Sequence, residues 1–402
     1  MNTINSDSIV DLFFQLKWNS QKAIHTDCFQ ANNVNMWRDI LPPSLLEGLK
    51  GRGSGEGLDL IFTRGKAVPG FENRSLLQIK TNQFDARQFG SLLTDPRVGR
   101  FYPKGVLKDV AGIFGANMAP FRCVEKNNGH MTVDLNHPLA ENDLRVSTIV
   151  GKIETKQIER GGTSIDWIEA LTDGPGMQAR WRDRKSEYLS DSAFLREDTA
   201  PDSRFYRKPR MTQHMDATAL EMVRNTYGRF LQDGMRVLDL MSSWQSHVPA
   251  NLQLERLAGL GLNHAELKRN ALLTDTIVHD LNAQPALPFD ANTFDAVLCT
   301  ASIEYLIDPL AIFSEVARVL NPRGYFAITF SNRWFPPKAI KIWTELHEFE
   351  RMGLVLEYFF QADAFEDLHT YSIRGLPRPH HDKYFPEYKY SDPLYAVWGR
   401  KN

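Results

Sequence analysis

The segment DLMSSWQSH, from Asp239 to His247, combines residue types that could bind a small ligand and move a proton. Asp239 ends a run of Val and Leu residues that is typical of a parallel strand buried on both faces. Ligands of α/β sheets bind beyond the carboxyl ends of such strands, where a turn opens the next helix. Because Ser242 and Ser243 are small, the segment predicts a site for a nucleoside-bearing cofactor at this turn.

This segment resembles motif I of the class I S-adenosylmethionine-dependent methyltransferases, which is a hydrophobic strand, an acidic residue and a Gly-x-Gly turn. Met241, Ser242, Ser243 and Trp244 stand here in place of the glycines, as in a subgroup with the same DLMSSW…SH…P motif. Glycine lets the backbone adopt positive φ, whereas the serine hydroxyls could hydrogen-bond the carboxylate or ammonium of the cofactor. The alternative is an α/β domain that binds nothing, since a fold alone does not prove function.

Two further strand ends carry cofactor residues that the resemblance implies. LERLAGL ends at Gly261 and is followed by Asn263, where a ribose-binding acid usually stands, but Asn263 with Glu266 equally forms a capping box. TIVHDL ends at Asp280, whose carboxylate would accept from the adenine amino group. The residues expected to contact S-adenosyl-L-methionine are Asp239, Met241, Ser242, Ser243, Gly261, Asn263, Asp280, Leu281 and Asn282.

The stretch that begins LPFDANTFDAVLC and runs to Phe330 matches the same family in order and spacing. Asp308 and Pro309 are typical of a helix start, and Asn321-Pro322 ends that helix. FEDLHTYSI and DPLYAVWGRK then predict two final antiparallel strands. The C-terminal part is therefore expected to form a doubly wound, Rossmann-like α/β sheet.

Methyl transfer from a sulfonium is an in-line displacement, so an enzyme gains by holding the acceptor close in a water-poor crevice. A hydroxyl or protonated nitrogen needs a base, and the candidates are His247, Glu304 and Tyr305; a thiol reacts as its thiolate. His247 is equally explained as a helix residue satisfied by the backbone.

The methyl acceptor would contact residues on either side of motif I. The segment from Phe205 to Leu231 precedes it and could cover the cofactor, although His214 is equally explained as a capping or core residue. Asp216 is explained in the same way as a helix cap. The candidate substrate-binding residues are His214, Trp244, Asn332, Arg333 and Trp334.

Three N-terminal pieces, LLEGLKGRGSGE, YPKGVL and VDLNHPLAENDL, resemble the bacterial FKBP-type peptidyl-prolyl isomerases that carry an inserted flap domain. The resemblance covers residues 8–154. It implies an α+β domain, an FKBP-like antiparallel sheet with a short helix, and a shortened flap insert between Pro103 and Thr132.

The same resemblance implies an aromatic-lined pocket at Phe14, Asp27, Leu41, Phe89 and Val146. Such a pocket removes water from an X-Pro bond, whose rotation barrier of about 18–20 kcal/mol comes from its partial double-bond character. Phe14 and Phe89 stand where tyrosines are common, so these residues are equally explained as core aromatics.

The predicted multidomain organisation has an FKBP-like domain at residues 1–155, a structured connector at 156–210 and a class I methyltransferase domain at 211–402. In the connector, Thr163 is the expected N-cap of a helix that GPG ends at Gly174.

Composition narrows the class of protein further. The formal net charge of -2 argues against a general role in binding nucleic acid or a membrane surface. Cys28, Cys123 and Cys299 form no CxxC pair, and His380-His381 is better explained as a solvated loop than as a metal site. Without a signal or membrane-spanning pattern, the protein is expected to be cytoplasmic and to hold no metal.

The sequence thus predicts an S-adenosylmethionine-dependent methyltransferase whose FKBP-like module recruits or isomerises a substrate. The acceptor, a small molecule or a peptide, and the oligomeric state are not predicted. The alternative is a peptidyl-prolyl isomerase or chaperone-like binding protein whose methyltransferase-like domain is not catalytic.

Overall fold

The computed structural model describes residues 2–85, 95–155 and 161–402, and the chain divides into two units. The first comprises Met1–Tyr188 and His347–Gly353, and the second comprises Leu189–Leu346 and Leu354–Asn402. The boundary at residue 188 lies inside the predicted connector, so residues 161–188 belong with the N-terminal unit and 189–210 with the second.

The first unit contains two antiparallel sheets. Strand order is β2-β1-β8-β3 in the first sheet and β4-β7-β6-β5 in the second. Among its described residues the elements are β1 (Ser8–Asn19), β2 (Ala23–Asn35), α1 (Pro43–Leu49), β3 (Gly57–Phe62), β4 (Leu76–Lys80), β5 (Phe101–Pro103), β6 (Pro120–Asn127), β7 (His130–Asp134), β8 (Leu144–Thr155) and α2 (Trp167–Thr172).

The first sheet follows from alternating hydrophobicity in β1, where every second side chain, including Leu12 and Phe14, is buried. Trp167 and Leu171 of α2 belong to the same core. The prediction of Thr163 as the N-cap of α2 is wrong, because the Asp166 carboxylate accepts from the N–H groups of Ile168 and Glu169.

The second sheet has a core of its own, which includes Tyr102, Phe121 and Val133. This sheet runs from Leu76 to Asp134, so the segment between Pro103 and Thr132 that was predicted as an insert forms only part of it. Its first strand was missed because LLQIK carries no strict alternation of apolar and polar residues.

The second unit is an α/β sheet. Its elements are α3 (Asp202–Phe205), α4 (Ala217–Tyr227), β9 (Arg236–Leu240), β10 (Arg256–Gly261), α5 (His264–Arg269), β11 (Asp275–Val278), β12 (Phe294–Thr300), α6 (Pro309–Val319), β13 (Leu320–Phe330), α7 (Lys341–Glu345), α8 (Glu348–Ala362), β14 (Phe365–Arg374) and β15 (Leu394–Lys401). The first turns of α8 lie in His347–Gly353, which belongs to the first unit.

Strand order in the second unit is β11-β10-β9-β12-β13-β15-β14. The first five strands are parallel, and β15 and β14 complete the sheet in antiparallel orientation. This arrangement confirms the predicted doubly wound sheet with an antiparallel ending. It also brings the carboxyl ends of β9, β10, β11 and β12 to one edge.

Side-chain caps fix where three helices of this unit begin. Asp216 caps α4, Asn263 caps α5 and Asp308 caps α6, each through hydrogen bonds to backbone N–H groups of the first turn. These caps confirm the helix-start patterns in the sequence. Within the described part of the chain, no helix is both long enough and apolar enough to cross a membrane.

Candidate active site

A pocket, called here the strand-end pocket, lies where the parallel strands β9, β10, β11 and β12 end. It brings together most of the residues predicted from the sequence. These are His214, Asp239, Met241, Ser242, Ser243, Trp244, His247, Gly261, Asn263, Asp280, Leu281, Asn282 and Tyr305.

Asp239 is almost fully buried at the end of β9. Its Oδ2 accepts hydrogen bonds from the hydroxyls of Ser242 (2.6 Å) and Ser246 (2.5 Å). Burial raises the pKa of the Asp239 carboxyl to about 6, although the two hydroxyls act in the opposite direction. This carboxylate therefore holds the turn that follows β9.

The turn after β9 contains no glycine, yet its backbone lies close to the neighbouring strand. Met241 adopts a left-handed backbone conformation with φ of 56°. The N–H of Ser242 donates to the Leu260 carbonyl at 2.7 Å, so the turn lies directly against the end of β10. A Cβ atom at Gly261 would lie 2.1 Å from the Ser242 carbonyl oxygen, so no larger residue fits there.

Glu266, on α5, links this turn to the segment that precedes α4. The Ser243 hydroxyl donates to its Oε2 at 2.6 Å, and the backbone N–H of Arg210 donates to its Oε1 at 2.7 Å. Asn263 is committed in a similar way, because its Oδ1 caps α5 and its Nδ2 donates to the Tyr206 carbonyl at 2.8 Å. The helix-cap interpretation of Asn263 is therefore confirmed.

Asp280 and Asn282 follow β11. Asp280 Oδ1 accepts from the N–H groups of Asn282 (3.0 Å) and Ala283 (3.3 Å). The Asn282 side chain donates to Asp202 (2.7 Å) and to the Tyr305 carbonyl (2.9 Å), so it organises the wall of the pocket.

Asp202, which also lines the pocket, is held by two cations. Arg196 Nη1 donates to both carboxylate oxygens at 2.9 and 2.8 Å, and the fully buried Lys338 lies 3.1 Å from Oδ1. Burial acts to raise the pKa of Asp202, but the hydrogen bonds from Arg196, Asn282 and Lys338 together lower it. Asp202 therefore stays ionised.

Aromatic rings surround the Arg210 guanidinium at the same pocket. Its Cζ lies 4.4 Å from the ring centre of Phe205 and 5.1 Å from that of Phe335. Arg210 Nη1 is buried and has no hydrogen-bond partner among the described residues. Burial lowers the pKa of the neighbouring His214, and Arg210 adds to this effect.

His247 lies on the turn beyond Ser246 and lines the pocket. Its Nδ1 is buried without a hydrogen-bond partner in the part of the chain that the structure describes. Burial lowers the pKa of His247 to about 4, and the positive charge of Arg224 acts in the same direction. The imidazole is therefore neutral at physiological pH and is a weaker base than a free histidine side chain.

Tyr305 and Glu304 differ in their relation to the pocket. Tyr305 lines it, but its hydroxyl accepts from the Phe335 N–H at 2.8 Å, and burial raises its pKa well above the usual value. Glu304 is buried and is not one of the lining residues. Tyr305 thus remains a protonated phenol.

The three residues predicted after β13 do not reach the strand-end pocket. Asn332, Arg333 and Trp334 are absent from its lining, and Arg333 instead donates to Asp392 at 3.0 Å and lies over the Tyr384 ring. The strand before them was predicted correctly, but the direction taken by the following loop depends on contacts distant in sequence.

Other lining residues were not predicted, and most come from the segment before α4 and from the ends of α5, β11 and β12. Their sequence carries no period or motif, so only the paired aromatic and basic residues of FYRKPR offered a signal. They are Asp202, Tyr206, Arg210, Thr212, Gln213, Met215, Leu220, Gln245, Leu262, Glu266, His279, Thr300, Ala301, Ser302 and Phe335.

The positions of the predicted isomerase pocket are core positions of the first unit. Phe14, Asp27 and Val146 are buried, and Asp27 Oδ2 accepts from Trp18 Nε1 at 2.9 Å and Gln178 Nε2 at 3.5 Å. Leu41 is also buried, whereas Phe89 lies outside the described residues.

The family match found by comparison with known proteins falls within the second unit. Residues 249–328 match the family model described as "Methyltransferase domain". This match begins after Asp239 and runs from the region before β10 into β13. No curated protein matches the sequence.

Solved structures of similar proteins include two bacterial examples and one archaeal one. A putative methyltransferase from Bacillus halodurans is 14% identical, covers 46% of this chain and 99% of its own, and has a TM-score of 0.33. An S-adenosylmethionine-dependent methyltransferase from Aquifex aeolicus is 17% identical, covers 50% of this chain and 97% of its own, and has a TM-score of 0.32. The third is a complex of the Haloferax volcanii Trm112 methyltransferase activator with a putative methyltransferase. The match is 16% identical, covers 46% of this chain and 89% of the other, and has a TM-score of 0.33.

The strand order, the pocket at the strand ends and the family match concern the same unit of the chain. Residues 249–328 of this unit are similar to a methyltransferase domain, and they include the strand ends of β10, β11 and β12 that border the pocket.

Proposed function

We propose that the chain is an S-adenosylmethionine-dependent methyltransferase that binds cofactor and acceptor in the strand-end pocket. The observation that carries this proposal is the position of the pocket. It lies at the ends of β9, β10, β11 and β12, where sheets of this type bind nucleotides. Side chains of the segment 206–215 also line it.

The polar groups of the pocket fit the two ends of the cofactor. Asp280 can accept from the adenine amino group beside the buried, apolar Leu281. At the amino-acid end, Ser242 and Ser243 already donate their hydroxyl protons to Asp239 and Glu266, so they can only accept, as an ammonium group requires. Arg210 Nη1, which has no hydrogen-bond partner among the described residues, offers a donor to the carboxylate.

When bound, the cofactor would supply an electrophilic methyl group on a sulfonium. The chain's own contribution is to hold the acceptor in line with that group and to exclude water. The turn after β9 and the segment 206–215 both line the pocket and would surround such a ligand.

His247 is the proposed proton acceptor for the methyl-accepting atom. Its Nδ1 is buried without a hydrogen-bond partner among the described residues, which supports this role. The lowered pKa of about 4 keeps the imidazole neutral, so it would hold the proton only transiently while the methyl group transfers. Tyr305 suits this role less well, because its raised pKa keeps the phenol protonated. Glu304 is not one of the lining residues.

We also propose that the first unit is an FKBP-like module that recruits a substrate. Its support is the antiparallel order β2-β1-β8-β3 with the short helix α1, and the second sheet between β3 and β8. Isomerase activity is the weaker candidate, because Gln178 contacts Asp27 and α2 fills the core beside β2. Proline-limited refolding of a test protein, a process of tens of seconds without catalyst, would reveal such activity.

Thermal unfolding with and without S-adenosylhomocysteine tests the cofactor site. Ligand at about 100 times its dissociation constant should stabilise the folded protein by about 2.7 kcal/mol. Asp239→Ala removes the anchor of the turn after β9 and should abolish the shift. Asp308→Ala, which removes a helix cap outside the pocket, should retain it. An unchanged melting temperature of the wild type at saturating ligand would reject the proposal.

A further inference from the structure

The strand β3 lies at one edge of the first sheet and has a neighbour on one side only. In the order β2-β1-β8-β3 it pairs with β8, and no described strand lies beyond it. Proteins usually protect such an edge with lysine or proline residues, because its free backbone groups can pair with another chain. The sequence of β3, GLDLIF, contains neither residue type.

The outward-facing backbone groups of β3 belong to every second residue. The Val150 N–H donates to the Glu56 carbonyl at 3.0 Å, so Glu56 faces β8. The direction of hydrogen bonding alternates along an antiparallel strand, and the even-numbered residues of β3 therefore also face β8. The N–H and C=O groups of Asp59 and Ile61 point away from the sheet and have no hydrogen-bond partner among the described residues.

The carbonyls on either side of this free stretch are already in use. The Gly57 carbonyl accepts from Arg52 Nη1 at 2.6 Å, and the Thr63 carbonyl accepts from the Lys66 N–H at 3.1 Å. Between these two carbonyls, β3 offers two N–H and two C=O groups. A partner strand must therefore match a short window.

The side chains at this edge are apolar on both faces of the sheet. Ile61 is 73% exposed on the outer face, and Leu58 and Leu60 are only half-buried on the face that packs on the core. The one charged residue of β3, Asp59, is neutralised, because Arg145 Nε donates to both of its carboxylate oxygens at 2.9 Å. Neither charge nor packing protects the edge.

We propose that β3 pairs in antiparallel orientation with β3 of a second copy of the chain, about a two-fold axis at Leu60. In this register Asp59 of each copy lies opposite Ile61 of the other, and the four free groups of each strand all make hydrogen bonds. An axis at Asp59 would place two carboxylates directly opposite each other. An axis at Ile61 would use the Thr63 carbonyl, which already accepts from Lys66.

The pattern of the window favours a second copy over an unrelated peptide. A two-fold axis at Leu60 uses each free group once and needs none of the occupied carbonyls. The same axis brings the half-buried Leu58 and Leu60 of one strand beside the apolar side chains of the other. Such an isologous contact, with one patch that is complementary to itself, is typical of symmetric dimers.

Cross-linking through an introduced cysteine tests the pairing in the full chain. Leu60→Cys places two thiols in a non-hydrogen-bonded pair across the axis, where side chains of antiparallel strands come closest. Mild oxidation should therefore give a disulfide-linked dimer. Leu58→Cys is the matched control on the same strand and face, because Phe62 would lie opposite it and no dimer should form. The three native cysteines are buried.

Sedimentation equilibrium tests the same contact without a cross-link. The wild type should populate a species of twice the mass of one chain as its concentration rises. Ile61→Pro removes an outward N–H but keeps the hydrogen bonds to β8, so it should sediment as a single chain with an unchanged melting temperature. Phe114→Lys, which alters a similarly exposed apolar side chain between β5 and β6, should still dimerise.

Three outcomes would overturn the proposal. A wild type that sediments as a single chain at every concentration would leave this edge to an extended peptide of another protein. Equal dimerisation of the wild type and Ile61→Pro would place the contact elsewhere on the chain. Equal cross-linking of Leu58→Cys and Leu60→Cys would show that the strands do not pair about Leu60.

Discussion

Asp239 shows how far a single residue could be predicted. Its place at a strand end follows from the hydrophobic run before it, and the pocket confirms that place. Its partners did not follow, because Ser246 was not recognised as a donor and the Asn270 side chain that in turn donates to Ser246 is distant in sequence. Such contacts depend on how α5 packs beside the turn.

The raised pKa of Asp239 predicts how stability depends on pH. The native state binds the proton more tightly than the unfolded chain between the ordinary value of about 4 and the native value of about 6. The free energy of unfolding contributed by this group therefore falls as the pH rises through that window, by about 3 kcal/mol in all. Asp239→Asn lacks this titration and should gain stability relative to the wild type from pH 4 to 7.

Urea unfolding of both proteins at several pH values measures this difference. His247, whose pKa is lowered, titrates in the opposite direction, but it is present in both proteins and cancels in the comparison. If the difference in the free energy of unfolding between the two proteins stays constant between pH 4 and 7, the pKa of the Asp239 carboxyl is not raised by folding.

At the level of elements, the parallel strands, their order and the capped helices α4, α5 and α6 were predictable because each carries a local signal. The path of residues 202–215 was not, since it is fixed by single contacts such as Asn263 to the Tyr206 carbonyl and Glu266 to the Arg210 N–H. Several lining residues of the pocket come from this segment. The sequence therefore predicted the lining residues at the strand ends far better than those of residues 202–215.

The contact between the turn after β9 and the end of β10 predicts the effect of Gly261→Ala. The added Cβ would collide with the Ser242 carbonyl, which is backbone and cannot move aside without shifting the turn. Overpacking of this kind costs about 1–3 kcal/mol, and the displaced turn should weaken S-adenosylhomocysteine binding. Denaturant midpoints and calorimetry measure the two effects.

Gly53→Ala is the matched control for this substitution. A Cβ there meets no atom within 4 Å, so the variant should keep both stability and ligand binding. Equal behaviour of the two variants would mean that the turn yields readily and that the close approach at Gly261 is not required.

At the scale of the whole molecule, the division into units could not be read along the sequence. His347–Gly353 belongs to the first unit although the residues on both sides of it in the sequence belong to the second. Its Glu350 accepts from Arg100 Nε at 3.1 Å and from the Phe101 N–H at 2.9 Å, and both charged side chains are buried. No sequence motif announces a pair so far apart in the chain.

Glu350→Gln should therefore destabilise the first unit strongly. Removing the charge of one partner of a buried ion pair typically costs about 3–5 kcal/mol. The free energy of unfolding, measured with denaturant, tests this expectation. Glu154→Gln, which breaks the exposed pair with Lys152, should change stability little. Similar free energies of unfolding for both variants would show that other groups stabilise the Arg100 charge when Glu350 is neutral.

The helix α8 limits how the two units could be separated by recombination during evolution. Its first turns complete the first unit, and the rest of it belongs to the second. A recombination event that moved residues 1–188 as one block would leave Glu350 behind. The transferred block would then lack the ion pair between Arg100 and Glu350. The N-terminal module can therefore be gained or lost intact only by two coordinated changes in the gene.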